Sequence, residues 1–146
     1  MDKTDFANSL LCDKVITQIL ELPFLSGKHG VLRVIKNHDN QTDLLLSDFY
    51  PSIMERNGGA MPPEEVQERK TNLTQFGTSF YLDNDISLQT IQSVPSLREG
   101  MKAIAYGVIT SKYGLIGIPD ETGHLVLYLR NPLKNDLPIN FKYKEV

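Results

Sequence analysis

Residues 97–130, LREGMKAIAYGVITSKYGLIGIPDETGHLVLYLR, constrain the fold of this chain more than any other stretch. Their last segment, 124–130, alternates cleanly. Leu125, Leu127 and Leu129 fall on one side, and His124, Val126, Tyr128 and Arg130 on the other. Side chains alternate across a β-strand, so the spacing predicts a strand with its leucines in a core. The opposite face is expected to keep Tyr128 and Arg130 near solvent. Before this segment, Pro119-Asp120-Glu121-Thr122-Gly123 is turn chemistry, and residues 115–118 form a short apolar run. Earlier still, residues 101–111 carry β-branched and aromatic side chains without a proline, and Lys112-Tyr113-Gly114 closes them with a turn. The stretch therefore predicts three consecutive strands in a meander. Gly107, inside the first of them, suits a strongly bent barrel strand.

The N-terminal segment has a different period. Ala7, Leu11, Val15, Ile19 and Leu22 recur at helical spacing, and Leu10, Ile16 and Leu20 widen the stripe. Thr4 or Asp5 is placed to cap this helix, and Leu22-Pro23 ends it. Residues 1–23 thus predict an amphipathic helix. Its apolar stripe either packs on the chain's own sheet or docks a partner protein through Leu11, Val15 and Ile19.

Between these two regions the signals are shorter. Residues 31–37 and 42–49 predict a hairpin around His38-Asp39-Asn40-Gln41, and Pro51 ends its second strand. Residues 51–76 contain Asn57-Gly58-Gly59 and Met61-Pro62-Pro63, and read as a loop insertion. Residues 78–82 form a short strand, and 86–94 fit either a strand or a helical turn. In the tail, 131–146, Ile139, Phe141 and Tyr143 alternate with polar residues and suit a last short strand.

With 146 residues the chain is expected to be one domain, 1–146, with a core that needs no covalent staple. The single cysteine, Cys12, excludes an internal disulfide and a cysteine-based zinc site, and its apolar neighbours suggest a buried residue. His29, His38 and His124 lie far apart without partners at ligand spacing, so no metal is expected. Gly58-Gly59 lacks the lysine and hydroxyl of a phosphate loop, and no Gly-x-Ser-x-Gly occurs. Asp43 and Asp48 point to opposite faces of their predicted strand, which excludes an acid/base pair. Asp83-Asn84-Asp85 lacks the glycine and closing glutamate of a calcium loop. The chain is expected to hold no catalytic residue and no cofactor. Asp2 and Asp5 do not suit a secretory leader, and no apolar run reaches the ~18 residues of a membrane span. These features suggest a soluble intracellular protein without a membrane partner, nuclear in a eukaryote.

The net charge of −3 is uneven: residues 98–146 hold seven Lys/Arg against five Asp/Glu, and the rest holds eight against thirteen. This excludes a strongly basic, non-specific DNA binder and leaves room for a basic groove on the C-terminal half. Lys102, Ile104, Tyr106, Val108 and Thr110 share one face of the first predicted meander strand, and Tyr128 and Arg130 one face of the last. Rings beside cations on a sheet hold single strands: bases stack on the rings and phosphates meet the charges. Arg33, Lys102, Tyr106, Tyr128 and Arg130 are the residues expected to do so.

The order of elements adds a resemblance. A hairpin, a short strand, a short helical segment and then Glu99-Gly100-Met101-Lys102-Ala103 opening a long strand resembles the oligonucleotide/oligosaccharide-binding barrel. Leu44-Leu45-Leu46-Ser47-Asp48-Phe49-Tyr50 is similar to the second strand of barrels in the telomere end-binding and replication protein A groups. The resemblance covers about residues 30–130. It implies a mainly β fold, a small barrel of about five strands behind the N-terminal helix. It also implies a non-enzymatic module of a genome-maintenance complex that contacts single-stranded DNA or RNA, a partner protein, or both. A curved antiparallel sheet in an α+β domain is the alternative fold. A pure protein–protein scaffold, and a small enzyme with a mobile 57–72 loop, are the alternative functions.

Overall fold

The computed structural model describes residues 10–36 and 43–144. Among them, in chain order, come α1 (Asp13–Leu20), β1 (Phe24–Leu25), β2 (His29–Ile35) and a 3-10 turn (Leu46–Phe49). Next are α2 (Ser52–Glu55), α3 (Glu64–Glu68), a second 3-10 turn (Leu73–Phe76), β3 (Thr78–Leu82), α4 (Asp85–Ser93) and α5 (Pro95–Arg98). The chain continues through β4 (Ala103–Ile109), β5 (Gly114–Gly117), β6 (His124–Leu129), a third 3-10 turn (Leu137–Asn140) and β7 (Phe141–Lys144). The strands form one antiparallel sheet in the order β1-β5-β6-β3-β2-β4-β7.

The sheet is β-rich α+β and it is open, which corrects the expected five-stranded barrel. β4 and β5 do not pair. β4 gives its free edge to β7, and β5 gives its own to β1. The sheet nevertheless curls strongly. Four strand spacings separate β4 from β5, roughly 19 Å in a flat sheet. Only residues 110–113 join them, and a connection that short spans at most about 17 Å. Phe80 of β3 and Phe141 of β7 are three spacings apart, yet their ring centroids lie 5.7 Å from each other. The predicted meander is therefore half present: β5 and β6 are neighbours, and β4 belongs beside β2.

The concave face holds the main core. Leu125, Leu127 and Leu129 of β6 are buried there, as their alternation predicts, with Val31, Ile35, Phe80, Ile109 and Phe141. Phe49 and Leu137, from 3-10 turns, fill the middle, with Phe49 4.9 Å from Phe141. Gly107 has a packing role here. A Cβ on it would sit 2.7 Å from the Phe141 ring and 2.7 Å from the Asn140 carbonyl oxygen, so glycine lets β7 close onto β4.

Two separate helical layers cover the convex face. Val15, Ile16 and Ile19 of α1, Ile53 and Met54 of α2, and Phe76 cover Leu115, Val126 and Tyr128. Ile91 of α4, with Leu88 and Leu97, covers Leu32, Tyr81 and Ile104. The helix choice at 86–94 is settled by Asn84, whose side-chain oxygen accepts from the Ser87 amide at 2.8 Å.

Three expectations change. Of the helix expected over 1–23, the described part is α1 from Asp13, Leu10 is exposed, and Leu11, Val15 and Ile19 are buried in the chain's own core instead of facing a partner. Thr4, Asp5 and Ala7 lie outside the described residues, and Cys12 is only half-buried. The second strand of the 31–49 hairpin is not formed by its described residues. Asp48 Oδ2 instead accepts from the Leu45 amide at 2.8 Å and closes a 3-10 turn, while β3 and β4 occupy both edges of β2. The expected turn at 38–41 lies outside the described residues. Finally, residues 51–76 are a packed segment and not a loose insertion. The buried Gln67 amide accepts from Cys12 N at 2.8 Å and donates to the Pro62 carbonyl at 2.8 Å, pinning α3 to the start of α1.

Candidate functional site

The five residues expected to hold a single strand do not share one surface. Tyr128 is 3% exposed and packs edge-on against Phe24, with centroids 6.4 Å apart. Burial raises its hydroxyl pKa above the ordinary value. Its face of β6 is apolar enough at Val126 to be roofed by α1, so the hydroxyl on the ring misled the sequence reading. Arg130 is half-buried with its Nε enclosed, and its amide donates to the Tyr113 carbonyl at 2.8 Å.

Arg33 is structural. Its Nε donates to the Asp48 carbonyl at 3.1 Å, one Nη to the Ser79 carbonyl at 2.9 Å, and the other to Glu55 Oε1 at 3.1 Å. The guanidinium thereby ties the first 3-10 turn, β3 and α2 together. Burial lowers its pKa from the ordinary value, and the charges of Glu55 and Asp48 oppose that shift. Arg33 remains a cation, because an arginine starts so far above neutrality.

Lys102 and Tyr106 do reach solvent. Along β4 the convex side is covered at Ile104 and bare beyond it, so Tyr106 is 39% exposed and Val108 46%. The adjacent strand β7 adds Lys142 and Lys144. The Lys144 ammonium lies 5.5 Å from the Tyr106 ring centre and 3.6 Å from Asp83 Oδ1. Tyr106, Val108, Asp83 and Lys142, together with Lys28, line an open groove of about 620 Å3. Lys112 also lines it, but its ammonium is held by Asp136 at 2.8 Å. Among the described residues Lys28 and Lys142 make no ion pair, which leaves them to an outside anion.

A second cleft, of about 590 Å3, opens where the two helical layers part. Arg33, Ser79 and His124 lie along its sheet side, Glu55 and Arg56 at α2, and Leu97 at α5. His124 Nε2 is 3.1 Å from Ser79 Oγ, its Nδ1 is 4.0 Å from Asp120 Oδ2, and its ring meets Tyr81 edge-on at 5.2 Å. Sequence reasoning missed this group. Ser79 and His124 are 45 residues apart, and only the register Tyr81↔His124 makes them diagonal neighbours on one face. Asp120 is engaged already: its Oδ1 accepts from Thr122 N at 2.9 Å, Thr122 Oγ1 at 2.6 Å and His124 N at 3.1 Å. Burial raises the Asp120 pKa, but these donors outweigh it and the net shift is downward. Among the described residues no group of three His, Cys, Asp or Glu side chains is placed to hold a metal.

His124 supports a pH prediction. Burial lowers its pKa below the ordinary 6.5, with Asp120 opposing. The unfolded chain therefore takes up a proton at His124 before the folded one does. Stability should fall as pH drops through 6.5 toward the folded pKa, and stay level below it. Urea unfolding across this range should show the decline, and His124→Gln should remove part of its slope. An NMR titration placing the ring above 6.5 would contradict this.

No protein-family description, curated protein or solved structure matches this chain. Function rests on the geometry of the two clefts.

Proposed function

We propose that this protein is a non-enzymatic binding module that holds single-stranded nucleic acid across the outer face of β4 and β7, within a nucleic-acid-associated assembly. The observation that supports this reading is Tyr106, an exposed ring with Lys144 over it and with Lys28 and Lys142 in the same groove. A base stacks on the ring while Lys28 and Lys142 meet the flanking phosphates, Lys144 being paired with Asp83. The role first expected of five scattered residues is thereby assigned to Tyr106 and the lysines around it, with Lys102 at the start of the strand. The net charge of −3 makes the affinity modest and sensitive to salt.

Fluorescence anisotropy of labelled single-stranded DNA and RNA, at two salt concentrations, tests it. Tyr106→Ala should weaken binding by the ~1–3 kcal/mol that one stacked base contributes. Lys142→Ala should weaken it less and flatten the salt dependence by about one phosphate's share. Absence of binding at tens of micromolar protein in low salt would sink the proposal. Val108, bare between the lysines, favours a second reading in which the same face docks a partner protein. In that case Val108→Asp abolishes assembly and Tyr106→Ala leaves nucleic-acid titrations unchanged.

A further inference from the structure

We infer that the cleft between the two helical layers is a separate binding site for a small phosphate monoester. Its size is the first support, since about 590 Å3 lies within the range of small-ligand pockets. Charge is the second. Three cations and two carboxylates line it, but they are not equally available. Glu55 is paired with Arg33 at 3.1 Å, and Asp48 is turned to the Leu45 amide of its own 3-10 turn at 2.8 Å. Arg33 is itself consumed by three acceptors. Among the described residues Lys36 and Arg56 make no ion pair, and the described lining as a whole carries a net charge of +1. A positive balance favours an anion, and a phosphate's several oxygens suit the Arg56 guanidinium and the Lys36 ammonium together.

The rest of the lining fits such a ligand. Ser79 and the His124 imidazole, 3.1 Å apart, supply neutral hydrogen-bonding groups beside the cations, while the Ser52 hydroxyl already donates to the Gln75 carbonyl at 3.3 Å. Val34, Leu97 and the Tyr81 ring offer an apolar wall for the organic part of the ester. A free inorganic ion would leave that wall unused. Arg33 fixes β3 and α2 relative to each other; Ser79 sits on β3 and His124 on β6, while Arg56 directly follows α2 and Lys36 directly follows β2.

NMR of the His124 ring and the Arg56 side chain, titrated separately with phenyl phosphate, inorganic phosphate and benzoate, tests the inference. Phenyl phosphate should give saturable shifts at both residues and bind at least about tenfold more tightly than either of the other probes. Arg56→Ala, at an exposed position that leaves the fold intact, should weaken phenyl phosphate about tenfold, whereas Lys142→Ala in the other groove should not. No shift at His124 up to about 10 mM phenyl phosphate would overturn the proposal. So would benzoate binding as well as the phosphates, or shifts that Arg56→Ala leaves unchanged.

Discussion

Tyr128→Ala should cost this protein about 3–5 kcal/mol of folding stability, the usual penalty for emptying a buried aromatic position. The ring is 3% exposed, lies against Phe24 and is roofed by residues of α1 and α2. A loss of that size is a large part of the ~5–15 kcal/mol that holds an ordinary domain together. Tyr128→Phe keeps the packing and should cost under about 1 kcal/mol, because shape is preserved and only a hydroxyl is lost. Urea unfolding of the three proteins measures both differences. A Tyr128→Ala protein of unchanged stability that no longer binds nucleic acid would show that this face of β6 is a binding surface after all. The matching experiment on Tyr106, exposed on β4, should show the reverse: little change in stability and a loss of binding.

Arg33→Met should lower stability by about 3 kcal/mol, from loss of charge-assisted hydrogen bonds that are only partly replaced by water. The substitution leaves the Asp48 and Ser79 carbonyls without their donor and Glu55 without its partner. Glu55 is 40% exposed at its side chain, so water recovers part of that last contact and the figure stays below that of a fully buried pair. Arg33→Lys restores the charge but not the three-way fork, and about half of the loss should remain. Chemical denaturation gives these values directly. Anisotropy at a temperature where the variants stay folded should show nucleic-acid affinity within twofold of the parent. A large loss of affinity in folded Arg33→Lys would return this residue to the binding surface.

Much of the fold was legible in particular residues. The leucines at 125, 127 and 129 are buried as their period requires, and Val15, Ile16 and Ile19 form one buried helical face. A repeating period survives because the element is long enough for burial to impose it. Where the element is short, the period fails. Residues 44–46 are a run of three leucines, and read locally they are a strand. The Leu45 amide donates to the Asp48 side chain, the Asp48 amide donates back to the Leu45 carbonyl, and Pro51 follows, so the chain turns there. Of the residues expected on the surface, Lys102, just before β4, and Tyr106, on β4, are exposed, although Ile104 on the same face is buried.

What sequence alone determined is the local content: a helix before a β-rich domain and the strand β6 with its core face. Those follow from which side chains water rejects at each step along one element. Tertiary structure decided the rest. It placed β4 beside β2 and β7, left the sheet curled and open, and roofed Tyr128 while leaving Tyr106 bare. It also joined Ser79 to His124 at 3.1 Å and committed Arg33 to three acceptors. None of this has a local signature. A strand's alternation records that each face has a character, whereas pairing, and what lies over the second face, depend on segments tens of residues away.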